Sequence, residues 1–284
     1  MNIRRRMDLL GYIGRTMGKP PGWERVVRRL VPPEKCRTLQ DLLVFRDGAL
    51  FLAQPSLPLG WNVALFGTYE PQLRDLMRGI LSTGCVAIDV GANTGWHSLL
   101  MALLVGHQGS VLAIEANPSV REILSFNLHV NKLSQVHILP FAAAASEGEV
   151  KFFAPKADDA DSGNGHVACE EVGTGSEIVP VRSRTLDQMV TEQALKRCDL
   201  IKIDVEGYEW PVLQGAQKTI TEFRPAVAFE YVPEYAQRGG GSPGLFTEYF
   251  SSLNYRLFTI QRNWLESASE ASWQGSTDFW AVPL

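Results

Sequence analysis

Cys85-Val86-Ala87-Ile88-Asp89-Val90-Gly91-Ala92-Asn93-Thr94-Gly95-Trp96-His97-Ser98 decides the fold. Its first six residues are short and almost wholly apolar, as in a strand buried on both faces of a parallel sheet. Residues 91–95 are small and turn-prone, so the chain turns there. Trp96–Val105 then reads as an apolar helix that Gly106 stops. In a strand–turn–helix of this kind, small residues let a ligand approach the N–H groups of a positively polarised helix end. A tight turn with no ligand would use the same residues, so the turn alone decides little.

Outward from it the pattern is regular. Strands are predicted at 111–114, 136–139, 200–205 and 226–230, with helices over 118–130 and 211–223 between them. A helix near 245–253 and strands at 256–260 and 278–282 follow. Alternating strands and helices imply a parallel sheet with right-handed crossovers. The last two strands, with no helix between them, predict an antiparallel edge. The expectation is an α/β, Rossmann-like fold: a seven-stranded, mostly parallel sheet with helices on both faces.

Residues 145–183 read as an insertion, with 150–153 and 178–181 as a hairpin. Their link, 157–177, is rich in Gly, Ser, Asp and Asn. So long a loop is usually functional or disordered, and a lid over the substrate is expected. Asn164 and His166 in it are candidates to touch substrate, although solvent exposure is the ordinary fate of such residues.

Residues 71–81 are amphipathic, with Leu73, Leu76, Met77 and Ile80 at helical spacing. Residues 42–66 read as short strands around the hairpin signal Asp47-Gly48. Residues 1–40 look helical, interrupted by Pro20-Pro21 and Pro32-Pro33. The expected organisation is a basic N-terminal extension over 1–65 and a main domain over 66–284.

The 284 residues carry a net charge of -4, with 45% hydrophobic and 20% charged residues, ordinary for a globular enzyme. No nucleic-acid partner is advertised. Residues 1–40 nevertheless hold ten Lys/Arg against Asp8, Glu24 and Glu34. They form either a solvated helical face or a surface for an anionic substrate, a partner or a peripheral membrane contact. Cysteines 36, 85, 169 and 198 form no C-x-x-C pair, so zinc spacing is absent and a reducing cytoplasm is expected. No apolar run reaches membrane-spanning length, and Arg4, Arg5 and Arg6 are not followed by a signal-peptide core. A dimer is compatible with all of this and not indicated by it.

Two acids sharpen the ligand. Glu115 closes the second strand, where a carboxylate accepts both ribose hydroxyls. Asp89 stands before the turn, where it would repel a pyrophosphate but attract an ammonium and a sulfonium. The turn also lacks G-x-G-x-x-G spacing. S-adenosylmethionine is therefore favoured over NAD, and Asn93 is placed for its carboxylate.

A second constellation is Ile201-Lys202-Ile203-Asp204-Val205-Glu206-Gly207-Tyr208-Glu209. Alternation puts Lys202, Asp204 and Glu206 on one side of an extended strand, toward its carboxyl end. Methylating a hydroxyl requires removal of its proton, for which a carboxylate or a lysine of lowered pKa would serve. A structural Lys–carboxylate network is the competing reading. Glu230 ends the next strand and faces the same cleft or simply leaves the sheet. His97 is a candidate base, or a packed histidine. Asp204 and Glu206 would suit Mg²⁺, but no His or third carboxylate is clearly beside them, so no metal is predicted and activity should survive a chelator.

These residues resemble the FkbM family of S-adenosylmethionine-dependent methyltransferases. The resemblance is carried by Gly67-Thr68-Tyr69-Glu70-Pro71, by residues 88–95 with Ser98, and by Glu115-Ala116-Asn117-Pro118, where Ala replaces the family's first Pro. Asn127-Leu128, Asn131, Arg184-Thr185-Leu186-Asp187, residues 201–209 and Val212-Leu213-Gln214-Gly215-Ala216 extend it. It covers roughly residues 65–282 and implies a class I methyltransferase fold that methylates an oxygen of a sugar, glycolipid or polyketide-like product. It implies that Asp89, Gly91, Ala92, Asn93, Gly95, Ser98, Glu115, Ala116 and Asn117 hold the cofactor. Tyr69 and Glu70 would cover its methionine end, and Phe141 and Ala142 would flank its adenine. Asp204, which also borders the cofactor, would face the transfer site with Glu206 and Lys202. A cofactor-binding protein without catalysis and an NAD-dependent oxidoreductase are the rival readings.

Overall fold

The structure, a computed structural model, describes residues 2–16, 22–36, 39–154, 166–167, 177–260 and 265–284. They fall into two compact units, the first ending at Pro71 and the second beginning at Gln72.

The first unit contains α1 (Ile3–Thr16), α2 (Trp23–Leu30), a hairpin of β1 (Leu42–Arg46) and β2 (Ala49–Ala53), and α3 (Pro58–Phe66). Met7, Val27, Val31, Cys36, Trp61 and Leu65 form its core. The Trp61 indole N–H donates to the Val31 carbonyl at 2.8 Å. Asp47 and Gly48 have φ of 48° and 89°, as a tight hairpin turn demands. Residues 58–66 are helical, not strands as their sequence suggests. Apolar residues all round α3 erase the period, whereas Pro58 pre-sets its first turn.

The second unit begins with α4 (Pro71–Ile80), β3 (Val86–Val90), α5 (Trp96–Val105), β4 (Ser110–Ile114), α6 (Pro118–Val130) and β5 (Val136–Leu139). The insertion supplies β6 (Ala142–Ala143), β7 (Gly148–Ala154), β8 (His166–Val167) and β9 (Glu177–Arg184). Then come α7 (Leu186–Glu192), β10 (Leu200–Ile203), α8 (Glu209–Gln214), α9 (Gln217–Phe223) and β11 (Ala226–Tyr231). The chain continues through α10 (Pro233–Ala236), α11 (Pro243–Ser252), β12 (Tyr255–Ile260), β13 (Leu265–Ser267) and β14 (Thr277–Pro283).

The main sheet runs β13-β12-β14-β11-β10-β3-β4-β5. Its strands from β11 to β5 are parallel, and β14, β12 and β13 are antiparallel. It is a Rossmann-like α/β sheet with eight strands rather than seven, the addition being the three-residue edge strand β13. The chain winds outward from β3 to β5, then returns to place β10 on the other side of β3. That reversal opens a crevice at the carboxyl ends of β3 and β10, where open α/β sheets bind ligands.

Three further expectations change. The strand predicted to Val205 ends at Ile203, so Glu206 lies beyond it and does not share the strand's alternation. The helix predicted over 211–223 is two helices. A Cβ at Gly215 would lie 2.1 Å from the Ala144 carbonyl oxygen, so the chain is pinned there, and Asp187 caps the second helix through the Lys218 and Thr219 N–H groups. The insertion is a four-stranded sheet, β6-β9-β7-β8, not a lone hairpin. Its cluster of Ala142, Phe152, Val167 and Val181 packs against Ala116 and Tyr208, so it borders the crevice.

On β11, Phe229 stacks on Phe246, Phe250 and Phe279 with ring centroids 5.2, 5.5 and 5.3 Å apart. Replacing Phe229 with leucine removes three ring contacts and leaves a small void. A loss of about 1–2 kcal/mol is expected, read as a lower urea midpoint with unchanged slope.

Candidate functional site

The turn after β3 is built by backbone constraint. Gly91 and Ala92 donate their N–H groups to the Ile114 carbonyl at 2.9 and 3.0 Å, tying the turn to β4. Gly91 and Gly95 have φ of 77° and 93°, the left-handed region that glycine enters without strain. Asn93 also sits there, at 50°. Its side-chain oxygen accepts the Thr94 N–H at 2.7 Å, the local bond that lets Asn tolerate this backbone. Asn127 reaches from α6 to the Thr94 carbonyl at 2.8 Å.

Glu115 is buried at the end of β4. One carboxylate oxygen accepts the Asn93 N–H at 2.9 Å and the other the Asn117 N–H at 2.8 Å. It thus clamps the glycine turn to the start of α6, whose N-cap is Asn117, and each oxygen keeps a further lone pair. Burial raises its pKa, and the two N–H donors oppose the rise. Arg121 binds the Glu115 and Ala116 carbonyls from α6.

Asp89 is fully buried. Ser98 on α5 donates to its Oδ2 at 2.6 Å, and Lys202 Nζ lies 3.5 Å from its Oδ1. Register sets this meeting, because Asp89 and Lys202 are direct neighbours across β3 and β10. Lys202 also donates to Asp204 Oδ2 at 3.2 Å. A buried polar chain thus runs Ser98–Asp89–Lys202–Asp204, from the glycine turn to the end of β10. Asp89 Oδ1 accepts no hydrogen bond among the described residues. That oxygen has Lys202 as its ion-pair partner but keeps its hydrogen-bonding capacity. With the spare lone pairs on Glu115, it makes the crevice fit for a polar cofactor carrying hydrogen-bond donors such as a ribose diol.

Beyond β10 the chain turns sharply. Glu206 has φ of 54° and Gly207 of 98°. Left-handed backbone at a glutamate is strained and persists only where its surroundings fix it. Glu209 supplies the fixing: its Oε1 accepts the Val205 and Gly207 N–H groups at 3.0 and 3.1 Å. Arg238 binds the Glu206 carbonyl from below. Sequence reasoning missed Glu209, whose one signal was an acid two residues after a glycine at a helix start.

Asp204, Glu206, Glu209 and Asp278 all lie close enough to Glu230 to oppose its ionisation. Burial pushes Glu230 up to about 9, reinforced by Asp204, Asp278, Glu206 and Glu209. Burial pushes Glu209 up to about 7, opposed by its backbone donors. No group of three or more His, Cys, Asp or Glu among the described residues is arranged to hold a metal ion. The unfolded chain gives up these two protons near pH 4.5, whereas the folded chain keeps them to about 7 and about 9. The unfolded state therefore binds fewer protons across that interval, and stability falls as pH rises through it. Urea unfolding at pH 5, 7 and 9 should show the decline, and Glu230→Gln should flatten it by about 1–2 kcal/mol. An unchanged slope in the variant would exclude Glu230 as its source.

The remaining candidates are scattered. His97 is buried in the first turn of α5. Phe141 carries the Arg184 guanidinium 4.5 Å above its ring, and Ala142 is buried in the insertion's cluster. His166 lies on β8 against Phe153, ring centroids 4.8 Å apart. Asn164 and most of the 157–177 loop lie outside the described residues. Tyr69 and Glu70 belong to the first unit, where Glu70 has φ of 45°. Cys85 and Cys198 are buried and unbridged.

The family model for the methyltransferase FkbM domain matches residues 89–257, from the buried aspartate of β3 into β12. The chain belongs to the FkbM family of S-adenosylmethionine-dependent methyltransferases. This FkbM domain is 30% identical over 156 residues to the methyltransferase sdnD of Sordaria araneosa, 46% of this chain and 60% of that protein. It is 30% identical over 103 residues to a protein-L-isoaspartate O-methyltransferase of Caenorhabditis elegans, 35% of this chain and 44% of that one. The chain therefore spans less than two thirds of either relative. Among solved structures, an FkbM methyltransferase from Methylobacillus flagellatus aligns with TM-score 0.46 and 15% identity over 77% of this chain and 52% of that one. A Streptococcus mutans methyltransferase in complex with SAH aligns with TM-score 0.46 and 9% identity over 76% and 99%. Family membership sets aside the NAD-dependent reading.

Proposed function

We propose that this FkbM domain transfers a methyl group from S-adenosylmethionine to a hydroxyl oxygen of a sugar, glycolipid or polyketide-like acceptor. The observation that carries this reading is the buried chain Ser98–Asp89–Lys202–Asp204, which joins a cofactor-type turn to a half-buried carboxylate at the sheet's open end. Asp89, Gly91, Ala92, Asn93, Gly95, Ser98 and Glu115 hold the cofactor, Ala116 and Asn117 border its ribose, and Phe141 and Ala142 border its adenine. When bound, the cofactor supplies an electrophilic methyl carbon.

Two carboxyl groups compete for the role of base, and their environments separate them. Glu230 keeps its proton to about pH 9, so at neutral pH it is a hydrogen-bond donor that orients the acceptor. Asp204 carries Lys202 on one oxygen and leaves the other for the acceptor proton. Glu206, beside it, limits where the acceptor sits. Positioning oxygen and methyl in line supplies most of the rate, and proton removal the rest.

Incubation with methyl-labelled S-adenosylmethionine and a panel of polyols, glycolipids and hydroxylated polyketides tests the reaction. Label that stays on the product in alkali marks an ether, and label released as methanol marks a carboxyl ester and overturns the hydroxyl assignment. Asp204→Asn should lower kcat roughly 100-fold or more with S-adenosylhomocysteine affinity within a few-fold. Equal losses in both would make Asp204 a cofactor ligand instead.

A further inference from the structure

We propose that the first unit docks on an anionic phospholipid bilayer through the outward sides of α1 and α2 and the outer face of the β1–β2 hairpin. This proposal does not depend on the assignment of the methyl-transfer site.

Charge is segregated along the chain. Residues 1–71 hold eleven Lys/Arg against six Asp/Glu, whereas residues 72–284 hold 16 against 25. The first 71 residues are thus net +5 and the remainder net -9, and the overall charge of -4 conceals it.

More than half of the exposed large apolar residues among the described ones sit in this positive stretch. Among the described residues, six of the eleven large apolar side chains that stand exposed lie between Leu9 and Phe45. On α1, Arg5, Leu9 and Tyr12 follow i, i+4, i+7 spacing on the side away from buried Met7, with Tyr12 62% exposed. On α2, the rows Arg25–Arg29 and Val26–Leu30 lie side by side, and buried Val27 takes the inward side. On the hairpin, Leu43 opposes Leu52 and Phe45 opposes Leu50, so four apolar residues share one face while Phe51 is buried on the other. Phe45 is 62% exposed.

A merely solvated face would carry charges at these outward positions. Here tyrosine, phenylalanine and leucine occupy them, interleaved with arginines. Arg4 and Arg28 pair with Asp8 and Glu24, whereas Arg5, Arg6, Arg25 and Arg29 have no ion-pair partner among the described residues. An anionic bilayer satisfies both components, phosphates taking the arginines and the acyl boundary taking the apolar side chains. A nucleic acid would leave the aliphatic residues in water.

Co-sedimentation of the whole chain with vesicles tests the proposal, using phosphatidylcholine alone and phosphatidylcholine mixed with phosphatidylserine. Binding to the mixed vesicles is expected, with little to phosphatidylcholine, and high salt should weaken it. The double variant R25E/R29E should lower partition roughly tenfold or more, and L9S/Y12S by a similar factor. All four residues are exposed, and an unchanged circular-dichroism spectrum and thermal melt report that each variant is folded. No binding to the mixed vesicles, or binding that ignores their charge, overturns the proposal. So does a self-association that the same variants abolish without any vesicle binding, or retention on RNA in place of vesicles.

Discussion

Glu115→Ala is expected to weaken S-adenosylhomocysteine binding roughly 100- to 1,000-fold, or about 3–4 kcal/mol, measured by titration calorimetry. The carboxylate has two tasks. It accepts the Asn93 and Asn117 N–H groups at 2.9 and 2.8 Å, and so sets the distance between the glycine turn and the start of α6. In the proposed reading, its remaining lone pairs accept from the ribose diol of the cofactor. Hydrogen bonds to a charged group contribute about 1.5–3 kcal/mol each, so losing both ribose bonds alone approaches the expected loss. Alanine also leaves two buried N–H groups without acceptors, and the turn relaxes away from its ligand-ready shape. Glu115→Gln separates the two tasks. It keeps shape and one acceptor oxygen, but sets an amide N–H₂ against a backbone N–H. Its affinity should fall between wild type and alanine. Should the glutamine variant bind as wild type does, shape and not the second acceptor would be what matters. The thermal melt of Glu115→Ala should fall, because two buried N–H groups lose their acceptors, and that of Glu115→Gln should fall less, because one acceptor oxygen remains.

The parts of this protein legible in the sequence were those where one residue type answers one physical demand. Gly91 and Gly95 mark left-handed backbone, Asp89 and Glu115 mark strand ends, and the apolar runs beside them have little alternative to a buried parallel strand. What was illegible depends on partners distant in sequence. Nothing local says that Gly215 meets the Ala144 carbonyl, so one helix was expected where there are two. The alternation from Lys202 through Glu206 looked unbroken, yet Glu209 folds the chain back at Val205 and Gly207. An acid at a helix start reads as a response to the helix dipole, and its burial shows only once the turn is closed. The edge strand β13 is three residues long, too short for any period to show.

Gly91→Ala is expected to be the most damaging of the glycine substitutions, lowering stability by roughly 4 kcal/mol or more and taking cofactor binding with it. Two costs coincide. The residue has φ of 77°, and a Cβ there would lie 1.8 Å from the Asp204 carbonyl oxygen. That oxygen cannot retreat freely, because the same residue's N–H donates to the Val90 carbonyl at 3.0 Å and pins the end of β10 to the end of β3. Relief of the overlap must separate the two central strands where Lys202 bridges Asp89 and Asp204. Two other glycines calibrate the claim. A Cβ at Gly95 would meet the end of the Leu124 side chain at 2.5 Å, which can turn aside, so Gly95→Ala should cost less. Gly48, with φ of 89° and no atom within 4 Å of its Cβ, isolates the backbone cost of about 1–2 kcal/mol. Urea midpoints should therefore fall in the order Gly91, Gly95, Gly48. A Gly91→Ala protein no less stable than Gly48→Ala would mean that β3 and β10 do not approach this closely, and the joined polar chain on which the transfer site rests would fall with that.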